Sequence, residues 1–261
     1  MNLKLLALPI LLFTVFTTTV AFGQNLTPLP LATVEFPPFH YKTGSEVTGF
    51  LTQIVKITFK RIGYDAKIDI YPSKRGKNLA ERGEIAGIFA FTKNQDRLNK
   101  YHFTLPLGHV RDVFFKRKTS DISWEKLEDL KPYIVGATAT YNYAPVFLQA
   151  IEKGVLKSEM VVSPTPEVIH LRKLVGKRID IAICEITLCN FIINNNNKEF
   201  NTLDYINKEI GDVRTFHLGI SRKWSGGEEL TRKFNAALLE LEKEGVIAQI
   251  YDSFGIVPYE E

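Results

Sequence analysis

Arg97 is the residue of this 261-residue chain best placed to hold an anion. It follows a short apolar run at 85–91 and a polar turn, within GEIAGIFAFTKNQDRLNKYHFT, and Tyr101 and Phe103 lie just beyond. A guanidinium presents a rigid fork of donors that matches a carboxylate, a geometry lysine does not reproduce. Short apolar runs of this kind are buried in parallel sheets, and open α/β sheets bind ligands beyond the carboxyl ends of their strands. Thr92, at that strand end, is placed to bond the same carboxylate through its hydroxyl. Out of context Arg97 would be a solvated turn cation, as most charged side chains are. A second candidate, Glu185, ends the apolar run at 181–184; its alternatives are a loop acid or the partner of a lysine.

Positioning these groups requires alternating strands and helices. Strands are expected at 31–36, 66–71 and 85–91, with helices at 49–62 and 74–82 between them. The helix at 49–62 carries Phe50, Ile54, Ile57 and Ile62 at helical spacing, and Gly63 suits a left-handed cap. A strand at 110–116 leaves this unit. The pattern resumes with strands at 133–137, 160–163 and 179–184 and helices at 143–153 and 166–175. Residues 194–197, four asparagines, read as a turn or loop. A strand at 215–221 and helices at 228–244 and 246–254, parted by Gly245, complete the chain. Composition and periodicity thus specify an α/β fold with two subdomains.

The chain is 45% hydrophobic and 24% charged, which suits a packed core rather than disorder. Residues 1–23 combine Lys4, an apolar run at 5–16 and a small-residue end, Ala21-Phe22-Gly23, the layout of a secretory signal peptide cleaved before Gln24. That run is shorter than the roughly 20 residues a membrane span needs. Gln24 stands where a lipoprotein would carry cysteine. The formal charge of +4 is mild and no long basic stripe occurs, so nucleic acid is not an expected partner. Cys184 and Cys189 either pair in an oxidising compartment or serve as two small buried apolar residues. No zinc-site spacing, phosphate loop or dinucleotide fingerprint points to a metal or cofactor. No catalytic acid pair or serine–histidine elbow is evident around His40, His102, His109, His170 or His217, which argues against an enzyme.

Several segments in order resemble the family-three bacterial extracellular solute-binding proteins, the periplasmic receptors of amino-acid ABC importers. These are EFPPFHY at 35–41, GFLTQIVKITFKRIGY at 49–64, GEIAGI, DRLNKYHFT, KRIDIAICE at 177–185 and the tail KFNAALLELEKEGVIAQIYDSFG. The resemblance implies a two-lobed, type II periplasmic binding protein-like α/β fold with a hinge and an interlobe cleft. One lobe would comprise 24–115 and 213–261, the other 116–212. It implies that Arg97 grips a ligand α-carboxylate and that Glu185 receives the α-ammonium from the other lobe. Phe36 corresponds to an aromatic lid, with core packing as its alternative. Thr140 and Tyr141, with Asn142, follow the second-lobe strand, where they either contact the ligand or cap a helix. The usual aspartate after the strand isoleucine is Ala86, and the second cage aromatic is Ser73, followed by Lys74 and Arg75. Arg75 is therefore either a ligand contact for a more anionic solute or a helix-surface cation. The implied protein is a periplasmic monomer that binds an amino acid or small carboxylate and presents it to an ABC permease. A receptor kinase is the alternative membrane partner, and a dehydratase-like secreted enzyme is the alternative on the same fold.

Overall fold

Strand β1 (Thr27–Thr33) starts earlier and stops sooner than expected, leaving Phe36 in a loop where it bridges to His40. The computed structural model describes residues 25–139 and 141–256, so the expected signal peptide and Thr140 lie outside the described residues. Two prolines, Pro28 and Pro30, sit inside β1. The Pro30 carbonyl accepts from the Ala86 N–H, so its ring nitrogen faces that same flank, where strand pairing is confined to Leu31 and Ala32. Their missing donors therefore remove no ladder bond.

A hairpin that sequence did not signal follows, β2 (Tyr41–Thr43) and β3 (Glu46–Thr48), turning through Gly44 at φ +62°. Helix α1 (Phe50–Arg61) buries Phe50, Leu51, Ile54, Val55 and Phe59 on one face, as its spacing predicts. Then come β4 (Tyr64–Ile70), α2 (Ser73–Glu81) and β5 (Gly87–Phe91). A single helical turn, α3 (Gln95–Leu98), holds Arg97, and β6 (Tyr101–Phe103) and β7 (Gly108–Val110) complete the unit.

The expected strand at 110–116 is in fact two strands in different sheets. Beyond Arg111 the chain forms β8 (Asp112–Arg117), a 3-10 turn (Leu127–Leu130), β9 (Ile134–Thr138), α4 (Pro145–Glu152), β10 (Lys157–Val161) and α5 (Pro166–Val175). Next are β11 (Ile181–Glu185), α6 (Ile186–Asn195), α7 (Asn197–Phe200) and β12 (Leu203–Ile206). The asparagine run is therefore helical apart from Asn196, because Ile192 and Phe200 on either side are buried and hold both helices to the sheet. The chain returns through β13 (Arg214–Ser221) and ends in α8 (Gly227–Lys243) and α9 (Val246–Ser253).

The first sheet has the order β4-β1-β5-β13-β6, with β7 paired to the start of β13. The second has the order β10-β9-β11-β8-β12. In each, three parallel strands meet an antiparallel one, which is β13 in the first and β8 in the second. Helices α1, α8 and α9 pack one face of the first sheet through Phe59, Phe234 and Ile250 respectively, and α2 packs the other. The second sheet is likewise covered on both faces. Two lobes result. The chain changes sheets at Arg111, ahead of the expected boundary at 115, and returns across 207–213. An Arg111–Glu209 ion pair at 2.6 Å ties the two crossings together.

Candidate functional site

The first lobe presents Arg97 at the carboxyl end of β5. Asn94 Oδ1 accepts the Arg97 backbone N–H at 2.9 Å and fixes the turn. The guanidinium Nη1 donates to Thr92 O at 2.6 Å and to Thr92 Oγ1 at 2.9 Å, and Cζ lies 4.0 Å from the Phe91 ring centroid. No carboxylate among the described residues forms an ion pair with it. Burial lowers the Arg97 pKa, with Tyr101 and Asp96 opposing. Lys77 Nζ lies 5.9 Å from the same ring, and its pKa is lowered by burial and then by the Arg97 charge. Two partly desolvated cations at one aromatic ring make a site whose potential favours an anion.

A polar chain runs from this point to the second lobe. Asn142 Nδ2 donates to Thr92 Oγ1 at 3.3 Å, and the Asn142 carbonyl accepts from the Arg214 guanidinium. Arg214 also pairs with Asp112, which stands opposite Glu185 in the β8–β11 register. Glu185 is 4% exposed, and its Oε2 accepts the Leu188 N–H at 2.8 Å, capping α6. Burial pushes its pKa up to about 8, with the Asp112 charge adding to the effect. Burial raises Asp112 as well, against the pull of Arg214. Cys184 and Cys189 bracket this cap and are joined in a disulfide with Cα atoms 6.2 Å apart.

Aromatic contacts cross the same boundary. Phe36 packs against the cores of both sheets, with its ring 5.9 Å from Phe216 and 6.3 Å from Tyr141. Tyr41 of the hairpin lies 5.8 Å from Phe191 of α6.

The structure therefore brings Thr92 and Arg97 together and sets Phe36 against Tyr141, while Glu185 sits at the far end of the polar chain. Arg75 stands apart: it is exposed on α2, 5.2 Å from the Tyr71 ring. Asn142 does not cap α4, whose N-cap is Ala144 and carries no side-chain bond. Sequence reasoning missed Lys77, Asp112 and Arg214. Asp112 was detectable as a lone acid within the strand-length segment at 110–116. Among the described residues no group of three or more His, Cys, Asp or Glu is arranged to hold a metal. No helix among them is long and apolar enough to cross a membrane.

Comparison with known proteins gives a consistent result. The chain is 25% identical over 223 residues to the "Arginine-binding extracellular protein ArtP" of Bacillus subtilis (strain 168), covering 83% of this chain and 81% of that one. It is similar in fold to an ancestral arginine-binding protein bound to arginine (TM-score 0.72, 20% identity, 88% of this chain and 98% of that one). It is also similar to the substrate-binding protein of an amino acid ABC transporter (TM-score 0.68, 20% identity, 87% and 98%). Residues 31–256 match the family described as "Bacterial extracellular solute-binding proteins, family 3", and the chain belongs to that family.

Proposed function

We propose that the protein is exported to the periplasm, cleaved before Gln24, and captures a small amino-acid-like or anionic solute between its lobes for ABC-type import. The supporting observation is the Arg97 site, a half-buried guanidinium with no carboxylate partner among the described residues, held by Thr92 and bridged through Asn142 to the second lobe. A bound carboxylate supplies the missing counter-charge in bidentate geometry. Phe36 and Tyr141 close over the solute from opposite lobes, and Thr92 orients the guanidinium. Glu185 contributes from the second lobe, by direct contact or by fixing the first turn of α6. Arg75, exposed over Tyr71, adds positive potential at the mouth of the cleft. Binding alone is the required chemistry: a solute that contacts both lobes favours the closed form over the open one and shifts the population.

A thermal-shift screen of amino acids, short peptides, dicarboxylates and polyamines identifies the solute class. A ligand at 100 times its Kd adds about 2.7 kcal/mol of stability. Calorimetry with the best hit then compares wild type with Arg97→Ala and Arg75→Ala. Loss of about 2 to 5 kcal/mol in the first, at least ~30-fold in affinity, is the expected result. An unchanged affinity in Arg97→Ala removes the guanidinium from the site.

A further inference from the structure

We infer that Glu167 is a ligand contact of the second lobe, its carboxylate receiving the cationic group of a solute whose carboxylate Arg97 holds. The inference rests on the interlobe capture proposed above and specifies its ligand as a zwitterion rather than a simple anion.

Placement is the first argument. Glu167 lies in the first turn of α5, which starts just past the carboxyl end of β10. The loop bearing Tyr141 leaves the neighbouring strand β9 at the same end, and Glu185 ends β11 beside it. Carboxyl ends of strands are where open α/β sheets place ligand-binding groups.

Contact is the second. The Glu167 carboxyl faces the Tyr141 hydroxyl, and the Tyr141 ring touches Phe36 of the first lobe. One side chain thus separates Glu167 from the lobe boundary.

Its unmet bonding is the third. Glu167 Oε1 is sealed from solvent and has no hydrogen-bond partner among the described residues, the Tyr141 hydroxyl bonding the carboxyl elsewhere. No lysine or arginine among the described residues pairs with the carboxyl, although several other second-lobe acids have basic partners. Asp112 has Arg214, Asp180 has Arg117 and Glu159 has Lys173. A buried acceptor left unpaired opposes folding, so its retention is explained by a partner that arrives with the ligand. Glu185 differs in what its bonded oxygen does, capping α6 through the Leu188 N–H, whereas Glu167 is bonded to the side chain of Tyr141. Burial raises the Glu167 pKa, as expected for a carboxyl whose counter-ion is yet to come.

The resulting cleft is bipolar, with Arg97 and Lys77 on one lobe and Glu167 on the other. Closure then joins the lobes through the opposite charges of a single molecule.

The test uses the mature protein, calorimetry, and the standard amino acids plus succinate as probes. Glu167→Gln and Glu167→Ser both suit a first helical turn, so two independent variants report on the same carboxylate. The expected result is that both weaken the best-bound amino acid at least about 10-fold while succinate binding is not weakened. If wild type binds an amino acid and both variants match it, the inference fails while capture between the lobes stands. Binding of succinate but of no amino acid likewise overturns the zwitterion and leaves capture intact. A wild type that binds none of these probes, and whose stability none of them raises, overturns both.

Discussion

Replacing Glu185 by glutamine should change how stability depends on pH while leaving the helix cap in place. The side-chain amide oxygen of glutamine still accepts the Leu188 N–H, so the local geometry is kept and only the titration is removed. In the folded wild type the carboxyl holds its proton up to about pH 8, against 4.5 for the free side chain. Between those values the folded state binds more protons than the unfolded chain, so stability falls as pH rises. The contribution is fully present below pH 4.5 and is lost as pH climbs through 8. At about 1.4 kcal/mol per unit, wild type loses on the order of 3 kcal/mol between pH 5 and pH 8 through this group alone. Asp112 and Glu167, both raised by burial, tilt wild type and variant alike and largely cancel in the comparison. Burial holds His40, His170 and His217 near pKa 4, and these act on the acid side. Urea unfolding of both proteins at pH 5 and pH 8 measures the effect. Near-equal stability at pH 5 and an advantage of about 3 kcal/mol for Glu185→Gln at pH 8 is the expected pattern. A constant difference at both pH values would refute the buried, protonated cap.

Other perturbations address the hinge and the disulfide. Arg214→Met strips the partner from Asp112, whose side chain is 6% exposed, and should destabilise the fold by about 3 to 5 kcal/mol by urea unfolding. Arg214→Met combined with Asp112→Leu should recover much of that loss, because the uncompensated charge goes with it. Cys184→Ser with Cys189→Ser opens a loop of only five residues' separation and should cost about 2 kcal/mol. The same double variant should also make the amide protons of the first turn of α6 exchange faster, since the disulfide and the Glu185 cap hold one turn between them.

The alternation of strands and helices was legible because its signals are local. Residues 85–91 are apolar at strand length, the face of α1 repeats every three to four residues, and Gly63 marks its end at φ +87°. The position of Arg97 was legible for the same reason, since a short strand at 87–91 and the turn directly after it place it. The resemblance extended that reading to the two-lobed architecture. What sequence could not assign was the partner of each polar group. Asp112 and Arg214 are 102 positions apart, and their pairing exists only because the chain crosses between sheets twice at the same place. A strand-length segment at 110–116 has no way to announce that it belongs to two sheets, because a strand's partners lie outside it. The asparagines at 194–197 carry turn propensity, yet buried Ile192 and Phe200 hold the flanking helices, and packing outweighs a preference of a few tenths of a kcal/mol per residue. Glu185 shows the division most directly. Its position at a strand end was written in the sequence, but burial and the Leu188 N–H, which set its charge, are properties of the assembled lobe.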